Sequence, residues 1–190
     1  MMLVQTAQFF LNALVENYAW LFLFRFLLQW LRAPFSNPLG EFIILLTNPL
    51  VRPARRFIPS IGRLDTASFL LAFLVELACL SATLALHGQA LNLWLLAWVL
   101  LRLFTASIYL LMFALFIEAL ISWTYPHAPF APLLSSITRP FLRPLSRMVP
   151  PKGGLDFSFL ILTFLCVFII SLPLGWLEVL LMRAMGVLPL

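Results

Sequence analysis

The sequence predicts an all-α membrane protein. Four transmembrane helices form two parallel helix–basic loop–helix repeats, with amphipathic helices at the interface. Three observations predict this. The 190 residues are 63% hydrophobic and only 10% charged, with a mean hydropathy of +1.05, whereas a soluble domain carries about a quarter charged residues. Four apolar runs reach the roughly 20 residues that a bilayer crossing needs. A basic, proline-punctuated phrase occurs twice.

The first run, residues 3–31, lacks the basic flank and cleavage site of a signal peptide and is too long for one, so it reads as a retained span. The others are 66–86, 91–123 and 157–181. The first and third are long and must tilt or project beyond the bilayer. A long basic loop, 32–65, joins the first two runs, and a second, 124–156, joins the last two. The first loop holds Arg32, Arg52, Arg55, Arg56 and Arg63; the second holds Arg139, Arg143, Arg147 and Lys152. The short middle connection, 87–90, has no Lys or Arg, and the opposite side has only Arg183. The positive-inside rule therefore puts both long loops in the cytoplasm and both termini outside.

Residues 47–65 read TNPLVRPARRFIPSIGRLD, and residues 138–156 read TRPFLRPLSRMVPPKGGLD. They share nine identities in nineteen positions at an offset of 91. Trp30 and Trp123 match slightly upstream. The chain divides into a first unit, 1–90, and a second, 91–190, which point the same way as parallel repeats.

These paired segments between hydrophobic helices resemble the YggT/YlmG family of small bacterial membrane proteins, which has plastid relatives. The second copy departs from the first where Ser146 stands for Arg55 and Pro151-Lys152 for Ser60-Ile61. The resemblance implies a multi-pass protein of the bacterial cytoplasmic (inner) membrane, without established enzymatic activity. It also implies links to osmotic or envelope stress, to division-site or nucleoid organisation and, in plastids, to cofactor assembly of a cytochrome complex.

Within each phrase the apolar residues keep helical spacing. Leu50, Val51, Ala54, Phe57 and Ile58 cover one arc, as do Phe141, Leu142, Leu145, Met148 and Val149. Arg52, Arg55 and Arg56 fall opposite the first arc, and Arg143 and Arg147 opposite the second. This pattern predicts short helices lying in the interface, with these five arginines as the lipid-binding set for anionic phospholipid. Pro49 and Pro140 suit a first helical turn, with Thr47 or Asn48 as a cap in the first copy. Pro53 and Pro144 kink the helix or delay its start. Pro59 and Pro150 end it, and Gly62 and Gly153 permit the turn back. Asp65 and Asp156 then cap the next span, at the positive end of its dipole. Segments 42–51 and 130–142 also have the length of re-entrant elements, so both readings stay open.

Charges within apolar runs need partners. Arg25 and Glu118 each precede the matched Trp by five residues. The repeat therefore puts opposite charges at equal depth, which predicts an Arg25–Glu118 ion pair. Glu16 and Arg102 offer a second link. Glu76 has no counterpart, since position 167 is Val. It is expected to be protonated or structurally paired; a place in a proton or cation path, or pairing in an oligomer, is the alternative.

The residues do not point to an enzyme. His87 and His127 fall on opposite predicted sides, and no triad, metal spacing or phosphate-cradling loop occurs. Cys79 and Cys166 sit in apolar runs as inert thiols. No cofactor and no direct nucleic-acid binding is expected, despite a net charge of +5. Two classes remain. One is a scaffold, assembly or stress-response factor engaging anionic lipid and protein partners, with a homo-oligomer left open. The other is a small channel or transporter-like protein with re-entrant segments.

Overall fold

The computed structural model describes residues 2–62, 64–125, 128–148 and 157–187. The described chain is helical apart from turns and one isolated bridge, Ile61–Leu64. Helix α1 (Met2–Phe10), a π-helical turn (Leu11–Glu16) and α2 (Asn17–Trp30) follow without a break. Helix α3 spans Pro38–Phe57, α4 Thr66–Leu86, α5 Trp94–Thr124 and α6 Ala131–Met148. Helix α7 (Phe157–Ile169), a second π-helical turn (Ile170–Leu174) and α8 (Gly175–Ala184) complete the chain. Four stretches are long and apolar enough to cross a membrane: Gln8–Trp30, Thr66–Leu86, Trp94–Ser122 and Phe157–Ala184. They match the four expected spans. Each half is therefore span, amphipathic helix, span.

Local chemistry sets the ends of these helices. Arg32 ends the first span in the left-handed region at φ 56°, which breaks the ladder without a glycine. Asn37 then caps α3, its side chain accepting a hydrogen bond from Gly40 N at 2.9 Å, with Pro38 in the first turn. Gly40 has no room for a larger residue: a Cβ there would lie 2.7 Å from the carbonyl oxygen of Phe35.

The amphipathic helices depart from expectation. α3 starts at Pro38, not at Pro49, and runs through both Pro49 and Pro53. α6 does the same through Pro140 and Pro144. Thr47 and Asn48 are thus mid-helix residues, not caps. A proline inside a helix frees the carbonyl four residues earlier. Here Leu45, Pro49 and Pro53 all lie on the exposed side, where the freed carbonyls can be solvated, and the Asn37–Pro38 start is the better initiation site. Segment 42–51 belongs wholly to α3, and 131–142 lies in α6. Both continue without a break into the basic half. α3 ends at Phe57, before Pro59, and the chain turns back at Gly62, φ 60°. The counterparts Val149, Pro150, Gly153 and Asp156 lie outside the described residues.

Two apolar cores hold the bundle. One joins α2, α4 and α5 through Phe22, Leu23, Leu80, Val99 and Leu103. The other joins the end of α2 to α5, α6 and α7 through Leu28, Leu115, Leu133, Ile137 and Leu162. α3 and α6 therefore belong to the packed body at one end. Outward residues such as Phe113, Phe164 and Trp176 are large, apolar and exposed, as expected where the surrounding medium is lipid.

Candidate functional site

The end carrying α3 and α6 concentrates the polar chemistry. Thr47 and Thr138, identical in the repeat, are both fully buried where their helices meet the spans. Each receives a charge from the first span of its own half. The guanidinium of Arg25 donates to Thr47 Oγ1 at 2.6 Å and to Asn48 Oδ1 at 3.0 Å. The hydroxyl of Thr138 donates to the carboxylate of Glu118. The expected Arg25–Glu118 ion pair is therefore corrected: the two residues have separate partners. The repeat places them at equal depth, but each amphipathic helix supplies a nearer polar group than the opposite half does.

Arg25 belongs to a larger knot. Its Nε lies 3.7 Å from Asp65 Oδ2, and Arg55 donates to the same oxygen at 2.6 Å. Asp65 is fully buried and caps α4, accepting from Ser68 N at 3.4 Å and from Ser68 Oγ at 2.6 Å. Burial pushes this carboxyl up, but the hydrogen bonds from Arg55 and Ser68 outweigh it and hold Asp65 below the usual carboxylate range. Arg55 also reaches Gln29 at 3.1 Å. It thus ties α3 to α2 and α4, an internal role that its place in the basic set did not reveal. The second half has Ser146 at this position, with its hydroxyl on the carbonyl of Arg143 at 3.1 Å.

The other arginines of the set point outward. Arg52, Arg56, Arg143 and Arg147 are exposed. The predicted apolar stripes split in two. Val51 is fully buried, and Ala54, Ile58, Leu142 and Leu145 pack on the cores. Leu50 and Phe57 stay 43% and 85% exposed, and their repeat equivalents Phe141 and Met148 stay 40% and 80% exposed. The same positions are left out in both halves. Each helix thus shows three faces: one in the bundle, one apolar and open, one basic. Asp156 and His127 lie outside the described residues.

A second polar group joins the spans. Arg102 pairs with Glu16, and its Nε lies 3.1 Å from Glu76 Oε1. Trp98 Nε1 donates to Glu178 at 3.1 Å. Sequence spacing suggested the Glu16–Arg102 link. It did not reveal that Glu76 shares the same guanidinium. Among the described residues no cluster of three His, Cys, Asp or Glu could hold a metal.

These features define a multi-pass helical membrane protein built from a tandem span–amphipathic helix–span unit. The CCB3/YggT family model matches residues 4–85 and 96–177, one match per unit, and the chain belongs to this family. An uncharacterised protein of Pseudomonas aeruginosa is 36% identical over 157 residues, covering 80% of each chain. The uncharacterised protein YggT of Escherichia coli K12 is 32% identical over 163 residues, covering 85% of this chain and 86% of that one. An uncharacterised protein of Vibrio alginolyticus is 33% identical over 166 residues, covering 84% and 88%. No solved structure matches the chain.

Proposed function

We propose that the protein is a non-enzymatic membrane scaffold of the bacterial inner membrane. On this reading the open faces of α3 and α6 bind anionic phospholipid on the cytoplasmic side and present a platform for protein partners in assembly or envelope-stress responses. The observation that carries the reading is the matched exposure of Leu50, Phe57, Phe141 and Met148 beside Arg52, Arg56, Arg143 and Arg147. An apolar strip flanked by guanidinium groups suits acyl chains below and phosphates above. Basic residues near an anionic leaflet contribute about 1 kcal/mol each, so the four exposed arginines of α3 and α6 favour phosphatidylglycerol or cardiolipin over neutral lipid. Arg55 leaves the lipid-binding set, because Asp65 and Gln29 hold it.

Lipid mass spectrometry on the purified protein tests this. Replacing Arg52, Arg56, Arg143 and Arg147 with Gln should leave the spans inserted and strip most co-purifying anionic lipid. Lys at the four sites should retain part of it, because Lys binds phosphate as a point charge where Arg binds it bidentately. Equal retention in the Gln variant would reject the reading.

A further inference from the structure

The second half leaves open what the first half closes. Arg25 donates to both Thr47 and Asn48, so the protein itself satisfies that charge. In the second half Glu118 stands for Arg25, Thr138 for Thr47 and Arg139 for Asn48. Glu118 accepts from Thr138, but among the described residues no ion pair joins it to Arg139. Both charges instead line an open cleft of about 790 Å³, together with Ser135 and Ser136. Small-molecule sites span about 300–1,000 Å³. Glu118 is half-buried and Arg139 exposed. The two hydroxyls spend their protons within α6: Ser135 donates to the carbonyl of Pro132 at 3.1 Å, and Ser136 to that of Leu133 at 2.6 Å. What they can still offer is acceptor lone pairs. The cleft thus holds three acceptor side chains, Glu118, Ser135 and Ser136, and a guanidinium that pairs with none of them.

We infer that this cleft binds an aminoethyl phosphate group, either the headgroup of phosphatidylethanolamine or its soluble equivalent. A primary ammonium carries three N–H donors, one for each of Glu118, Ser135 and Ser136. The guanidinium of Arg139 takes the phosphate, which its planar fork can hold through two parallel hydrogen bonds. The charges balance: among the described lining residues one carboxylate and one guanidinium meet one ammonium and one phosphodiester. A trimethylammonium group has no N–H and leaves the three acceptors without donors. The cleft also lies where headgroups are found, because Glu118 belongs to the last turns of the span Trp94–Ser122 and headgroups flank the hydrocarbon core. Arg139 is not one of the four arginines on which the anionic-lipid reading rests, so the site stands independently of that reading.

The test uses the purified full chain in a neutral detergent, with short-chain lipids added at equal concentration. Thermal unfolding is compared in phosphatidylethanolamine, its N-methyl and N,N-dimethyl forms, and phosphatidylcholine. All four carry the same phosphate and the same net charge, so the outward arginines of α3 and α6 do not distinguish them. Phosphatidylethanolamine should raise the midpoint by about 3–6 °C over phosphatidylcholine, as expected for a ligand that binds only the folded state. The gain should fall with each added methyl group. Glu118→Gln and Arg139→Gln should each abolish the difference, and Arg183→Gln, an exposed residue of α8, should keep it. Free phosphoethanolamine separates the sources: a shift equal to that of the lipid supports a soluble ligand, and a shift with the lipid alone supports a headgroup site. Equal midpoints across the four lipids would overturn the proposal, as would a difference retained in either cleft variant. A shift with glycine and none with either aminophosphate would overturn it too, by assigning the cleft to an amino acid. Should the variants fail to fold, the methylation series with wild-type protein decides: no fall in the gain from the primary amine to the trimethylated one overturns the site.

Discussion

Asp65 shows how much one buried side chain can organise. It caps α4, accepts Arg55 and lies beside Arg25, so its loss strands two cations and a helix N-terminus together. Asp65→Ala should cost about 3–5 kcal/mol, the range for breaking a buried ion pair from one side. Arg55→Gln should cost about 1 kcal/mol or less, since the Arg55 side chain is 40% exposed and screened. Thermal unfolding in one detergent checks both. The pH dependence follows from the lowered pKa of Asp65. Its stabilisation is fully present above the ordinary carboxylate range and is lost as pH falls through the lower folded value. Asp65→Asn should therefore flatten the acid limb of the stability profile. The separate partners of Arg25 and Glu118 make another prediction. Exchanging them, Arg25→Glu with Glu118→Arg, should rescue nothing, because it sets a second carboxylate beside Asp65 and a cation on Thr138. A swap more stable than Arg25→Glu alone would restore the direct pair.

At the scale of the element, α3 and α6 depend on how they begin. Asn37, Pro38 and Gly40 start α3 well upstream of the basic phrase, and Gly40 sits against the backbone of Phe35. A Cβ in that gap meets backbone atoms at 2.7 and 2.9 Å, which cannot move aside as a flexible side chain could. Gly40→Ala should destabilise by about 1–3 kcal/mol, the usual cost of overpacking. Gly62→Ala meets nothing within 4 Å, and its cost comes only from the positive φ. A smaller effect at Gly40 than at Gly62 would mean that the α2–α3 corner is loose. The arginine phrase is legible as amphipathic from its spacing. That spacing does not show which apolar residues face the bundle and which face outward. The division needs the neighbouring spans, which cover Val51 and leave Phe57 open.

For the whole molecule, both amphipathic helices and the Arg25 knot gather at one end. The short 87–90 connection lies at the other in a four-span path. On the proposed orientation, which rests on the nine basic residues of the two long loops and the positive-inside rule, the first end faces the cytoplasm. In intact cells, Ser60→Cys should stay shielded from an impermeant thiol reagent, while Ala90→Cys should label. Cys79 and Cys166 are buried and give little background. Labelling at position 60 from outside would reverse the orientation and move the lipid face to the other leaflet.

Composition and periodicity by themselves determined the class, the four spans, the tandem repeat and the amphipathic character of α3 and α6. These properties depend on apolar length and on 3.6-residue spacing, which are local. The helix cap at Asp65 was also legible, because a capping carboxylate acts within three residues of itself. Only the tertiary structure decided the partners of the charges. Arg25 chose Thr47, Asn48 and Asp65 over Glu118, Arg55 paired with Asp65, and Glu16 and Glu76 came to share Arg102. Repeat symmetry gives equal depth, but depth does not select a partner. A charge in a low-dielectric bundle is settled by the nearest polar group that packing delivers, and that group comes from another helix far along the chain.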